Sequence, residues 1–98
     1  MTEEMRKVCI TALQTYGKPS QTVVLCEECA ELIQASSKLL RNGEHPELVM
    51  NMTEEIADVL IMIEQMKISY SISDFDINVF IDQKINRLRE RLDKGRKS

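Results

Sequence analysis

The chain has 98 residues, 43% hydrophobic and 30% charged, with 4% aromatics, three Gly and two Pro. That allows one domain, residues 1–98, and favours helices over a sandwich or barrel. A net charge of −3 and a pI near 5.2 give no general attraction to nucleic acid or an anionic membrane. Two Tyr, two Phe and no Trp leave little for base stacking.

The first helix is predicted from Thr2 to Tyr16, where Met5, Val8, Cys9, Ala12, Leu13 and Tyr16 recur at helical spacing. Gly17-Lys18-Pro19-Ser20 ends it, and Ser20 is the expected cap of a second helix running to Arg41. Asn42-Gly43-Glu44-His45-Pro46 is a turn-forming break. A third helix is expected from Met52 to Ser69, with Thr53 as an alternative cap. Ser71 to Asp74 supplies a short loop and a cap for the last helix, which carries Ile77, Phe80, Ile81, Ile85, Leu88 and Leu92 and frays from Lys94 to Ser98. No membrane-length apolar run is present, nor the apolar core of a signal peptide. Three cysteines, Cys9, Cys26 and Cys29, do not build a disulfide framework. The expected setting is a reducing cytoplasm, with Cys26 and Cys29 as small buried hydrophobes, Met50, Met52, Met62 and Met66 as core filler, and Phe80 in the core.

Two acidic segments carry the chemistry: Glu27-Glu28-Cys29-Ala30-Glu31 on the second helix and Glu54-Glu55-Ile56-Ala57-Asp58 on the third. Residues three apart share a helix face, so Glu28 pairs with Glu31 and Glu55 with Asp58. Each pair lies beside a strongly apolar run, Val23-Val24-Leu25 or Val59-Leu60-Ile61, which argues for the helix–helix seam. A hairpin would make all four converge. Converged anions repel and resist desolvation unless compensated. A hard divalent cation compensates them, Mg²⁺ or Mn²⁺ by ligand type. Such a cation polarises a phosphoryl group, while a neighbouring carboxylate accepts the proton of an attacking water. The same pattern also suits a solvated charged face.

The run from Glu27 to Leu32, followed by Glu54 to Val59, resembles the MazG-like all-α nucleotide pyrophosphohydrolases, whose signature is E-x-x-E, a spacer, then E-x-x-D. Twenty-three residues separate Glu31 from Glu55. The similarity extends from Tyr16 through Arg91, including Gly17 to Gln21 and Lys84-Ile85-Asn86-Arg87-Leu88. It implies a Mg²⁺-dependent hydrolase (Mn²⁺ an alternative) that splits a nucleoside triphosphate into monophosphate and pyrophosphate. Glu28, Glu31, Glu55 and Asp58 would be its metal ligands, with Glu27 and Glu31 catalytic. Lys84 and Arg87 match positions that contact phosphate, and Lys38 shares the face of Glu28 and Glu31. Gln21, Gln34 and Asn51 are candidates for reading a base edge, and Tyr16 for stacking on it. Met62, on the face of Glu55, Asp58 and Gln65, is the candidate pocket floor.

Two other readings remain open: a phosphoribosyl-ATP pyrophosphatase and a non-catalytic helical interaction or regulatory module. A di-iron carboxylate bundle lacks its E-x-x-H pairs. Cys26 and Cys29 form a C-x-x-C, but only Cys9 and His45 remain to complete a zinc site. A chain this short buries only about 60–65% of its unfolded surface, and Val59 to Ile63 is apolar all round. The expected architecture is therefore an all-α bundle completed in a homodimer or homotetramer.

Overall fold

A computed structural model describes residues 1–97, with side chains through residue 95. Four helices follow one another: α1 (Glu3–Tyr16), α2 (Lys18–Asn42), α3 (Pro46–Ser69) and α4 (Asp74–Lys97). Among the described residues there is no strand. Among them no helix is long and apolar enough to cross a membrane.

The ends explain the lengths. Thr2 caps α1, its Oγ1 accepting from the Met5 amide at 3.1 Å, and Glu3 and Glu4 complement the positive helix start. Gly17 both ends α1 and starts α2. Its N–H donates to the Leu13 carbonyl and its own carbonyl accepts from Gln21. Ser20 therefore lies inside α2 and is not its cap. Pro19 sits in the first turn, where its missing N–H leaves no bond unmade. Similarly, α3 begins at Pro46 and not at Met52. The His45 carbonyl accepts from Leu48 and Val49, and Pro46 is pre-set for the first helical position. Thr53 is interior, its hydroxyl donating to the Val49 carbonyl at 2.8 Å.

α3 stops in a Schellman turn. The Ile72 N–H reaches back to the Lys67 carbonyl and Ser71 takes the left-handed conformation, φ 54°. Ser73 then caps α4, its hydroxyl accepting from the Asp76 amide at 3.0 Å. The basic segment from Lys94 continues as helix to Lys97, so the expected fraying is absent there; Ser98 lies outside the described residues.

α2 and α3 form an antiparallel hairpin, and α1 lies across both. Thr22 meets Met66 and Ser36 meets Met52, which sets the register. The buried apolar residues are Cys9, Ala35, Met62 and Met66; Gln21, Glu64 and Gln65 are buried with them. An ion-pair chain ties the elements together. Arg6 on α1 meets Glu64 on α3 at 3.3 Å, Glu64 meets Lys67 at 3.0 Å, and Lys67 meets Asp74 at the start of α4. Beyond Asp74, the described residues of α4 pack against none of the other helices. Phe80 is accordingly exposed, not core, and Met50 is exposed on α3. Cys26 is exposed and Cys29 half-buried, so only Cys9 is a buried thiol; burial and the nearby Glu64 raise it above its ordinary value.

The α2–α3 turn depends on Gly43, at φ +89° and ψ 178°, a region essentially closed to residues with a Cβ. Space is not the obstacle, since a Cβ there meets nothing within 4 Å. Gly43→Ala is expected to cost about 1–3 kcal/mol, read as a shift in the urea midpoint.

Candidate metal centre

The hairpin brings the two carboxylate pairs together. Glu28 and Glu31 lie one turn apart on α2, as do Glu55 and Asp58 on α3, and one oxygen from each falls within 4.8 Å of all the others. Glu28 and Glu55 are half-buried, whereas Glu31 and Asp58 are exposed. The cluster therefore has an inner pair at the seam and an outer pair at its mouth. Oε2 of Glu28 and Oε2 of Glu55 are shut from solvent without a hydrogen-bond partner. Buried oxygens are seldom left without a partner. A cation between the helices would satisfy both, so the donor set fits a hard divalent ion.

The electrostatics agree. Loss of hydration raises the Glu28 carboxyl above its ordinary value, followed by the charges of Glu31, Asp58 and Glu55 and a hydrogen bond shared with Glu31. Glu55 is raised by loss of hydration, then by the charge of Glu31 and a shared hydrogen bond with it, then by Asp58 and Glu54. Glu31 is the leading charged neighbour of both. Without a cation, Glu28 and Glu55 therefore hold their protons to a higher pH than free carboxyls do.

That gives a pH dependence of defined sign. A carboxyl raised in the folded state stabilises fully below its unfolded value of about 4.5, and that contribution is lost as pH rises through the raised value. The metal-free melting midpoint is expected to rise as pH is lowered from about 7 to about 5, and Mg²⁺ should flatten the slope. The Lys67–Asp74 pair does not interfere. Hydrogen bonding to Lys67 lowers Asp74 below 3.8, and hydrogen bonding to Asp74 raises Lys67 above 10.5, so both titrate outside that window. A midpoint that falls between pH 7 and 5 would contradict the assignment.

The other sequence candidates divide. Met62 is buried one turn beyond Asp58, as a floor requires. Glu27 is exposed on α2 beside the cluster but is not one of its four members. Gln21 is buried. Lys38, Gln34 and Tyr16 are exposed, and Asn51 is half-buried. Lys84 and Arg87 are exposed on α4; because that helix packs on neither α2 nor α3, a single chain does not bring them to the carboxylates. Tyr70 has the richer surroundings: its hydroxyl lies 3.1 Å from Thr22 Oγ1, and the Lys18 ammonium sits 4.8 Å from its ring centre.

The structure also adds a polar continuation of the seam. Gln65 Oε1 and Ser69 Oγ are buried without partners. Gln65 follows Asp58 by two helical turns, and Gln21 precedes Glu28 by the same interval. That seven-residue spacing was the available signal. No family model, no curated protein and no solved structure matches this chain significantly.

Proposed function

We propose that the chain is a Mg²⁺-dependent nucleoside triphosphate pyrophosphohydrolase of the MazG-like kind. The observation that carries this reading is the four-carboxylate cluster formed by E-x-x-E on α2 and E-x-x-D on α3, with two buried oxygens lacking partners. A bound divalent cation would polarise the triphosphate and offset its charge. Glu28, Glu55 and Asp58 would hold the ion, and Glu31, the carboxylate whose charge acts most on Glu28 and Glu55, would be the fourth ligand. Water attacks the α phosphorus, the bond to the bridging oxygen breaks, and pyrophosphate leaves. Glu27, exposed beside the cluster, accepts the proton of that water, with Glu31 as the second candidate. The buried Gln21 and Gln65 continue the seam on the side away from the α2–α3 turn, where a nucleoside could extend.

The test is pyrophosphate release from standard and modified nucleoside triphosphates and from phosphoribosyl-ATP, with Mg²⁺, with Mn²⁺ and with EDTA. Release that requires the metal is the expected result, and the substrate turned over separates the two pyrophosphatase activities. No turnover across the panel, together with no Mg²⁺ effect on the melting midpoint, would overturn the proposal, since a ligand of the folded state must raise that midpoint. The unpartnered α4 favours one competing reading, a metal-indifferent interaction module. That second result is the one such a module gives.

A further inference from the structure

We infer that Gln65 and Ser69 read the base of the nucleotide and select bases that carry an exocyclic amino group. The inference rests on the pyrophosphohydrolase reading for where the phosphates lie, and goes beyond it in naming the class of base. Among the described residues, four buried side-chain oxygens lack a hydrogen-bond partner: Oε2 of Glu28, Oε2 of Glu55, Oε1 of Gln65 and Oγ of Ser69. The proposed cation satisfies the first two. Gln65 and Ser69 lie outside the carboxylate cluster, so the ion leaves their oxygens unpaired.

Gln65 is only 5% exposed, and a buried polar atom without a partner carries a desolvation cost that nothing offsets. Ser69 departs from the rest of the chain in a second way. The hydroxyls of Thr11, Thr15, Thr22, Ser36 and Thr53 each donate to the carbonyl four residues back, the local bond open to any helical Ser or Thr. At Ser69 that bond would run to the Gln65 carbonyl, and it is not made. Two oxygens, one turn apart on one face of α3, are thus left open for a third group.

Their position suits a base. Asp58, Gln65 and Ser69 follow one another along the same face of α3. Asp58 and Gln65 are two turns apart, about 10 Å along the axis, a span that a nucleoside bridges from its α phosphate to its base edge. Beyond Ser69 the polar surface reaches solvent at Tyr70, which is 51% exposed and held by Thr22 and Lys18. The chemistry selects the base. An amide oxygen only accepts hydrogen bonds, and a hydroxyl oxygen can accept as well. An exocyclic amino group carries two N–H bonds, one for each oxygen, while the Gln65 amide N–H can donate to the adjacent ring nitrogen. Gln pairs with adenine through the same match of donor and acceptor. A keto group in that place sets acceptor against acceptor, so adenine and cytosine are favoured over hypoxanthine and uracil.

Two measurements on the full chain test this. One is kcat/KM for pyrophosphate release from ATP, ITP, CTP and UTP with Mg²⁺. The other is the melting midpoint with adenosine, inosine, cytidine or uridine, which requires neither metal nor turnover. ATP is expected to exceed ITP, and CTP to exceed UTP, by about 10–100-fold, the worth of one or two hydrogen bonds that the keto base cannot make. Gln65→Met keeps the length and removes the amide, and should bring both ratios close to one; Ser69→Ala should lower them part of the way. A purely structural Gln65 would change all four substrates alike. If Gln65→Met fails to fold, the wild-type ratios and Ser69→Ala still decide. Equal use of amino and keto bases, a keto preference, or ratios untouched by both substitutions overturns the base assignment and leaves the pyrophosphohydrolase standing. No turnover, with adenosine and cytidine alone raising the midpoint, overturns the hydrolase and supports the base site. No turnover and no shift from any nucleoside overturns both.

Discussion

Glu31→Gln is expected to pull activity and stability in opposite directions. Pyrophosphate release should fall by about 10²–10⁴-fold, the usual worth of a positioned acid–base group, and Mg²⁺ should lose most of its effect on the melting midpoint. The metal-free protein should nevertheless melt higher than the wild type. Glu31 is the main charged neighbour that raises both Glu28 and Glu55, so a neutral amide in its place removes repulsion that the folded state otherwise bears. Pyrophosphate assays and melting curves with Mg²⁺ or EDTA read all three quantities. Glu27→Gln is the informative contrast. Glu27 lies outside the four-oxygen cluster, so its loss should reduce turnover while leaving the Mg²⁺-induced midpoint shift intact. If Glu31→Gln lowered the metal-free midpoint, the cluster would be held by its internal hydrogen bonds and not strained by its charge.

Met62→Ala is expected to destabilise the fold by about 2–5 kcal/mol, the range for truncating a buried Met to Ala. The whole chain should hold only about 5–15 kcal/mol, so the effect is large. Among the described residues only four apolar side chains are buried, Cys9, Ala35, Met62 and Met66, leaving few neighbours to close the space. Urea unfolding should show a lower midpoint with an unchanged slope. Met50→Ala is the control: Met50 is 61% exposed, and its truncation should move stability by no more than about 0.5 kcal/mol. An equal cost at both positions would mean that Met50 is covered in solution, and an interface would then have to include that face of α3.

The four helices and the carboxylate cluster were both legible in the sequence, for the same reason. A 3.6-residue period puts residues three and four apart on one face, so spacing alone places Glu28 with Glu31 and Glu55 with Asp58, and the hairpin loop brings the pairs together. Helix starts were less legible. Ser20 and Thr53 looked like caps by residue type, but Pro19 and Pro46 fit the first helical turn well enough to begin α2 and α3 earlier. Burial on α4 was not legible either. Periodicity shows that Phe80, Ile85 and Leu88 share one side of a helix; it does not say whether the same chain covers that side. Lys84 and Arg87 failed to join the carboxylates for that reason. Gln21 and Gln65 are buried, which a single amide beside an apolar stripe does not by itself announce.

The buried residues are unevenly placed along the hairpin. Cys9, Gln21, Met62, Glu64, Gln65 and Met66 gather at the end where α1 crosses, whereas Ala35 alone is buried towards the Gly43 turn. Local opening follows such gradients of burial, so amide hydrogens near Gly43 should exchange first and those around Met62 last. The carboxylates stand between these two regimes. An ion that grips α2 and α3 at that point would extend slow exchange towards the turn, and nucleotide capture would then be felt as a change in how far the hairpin stays closed.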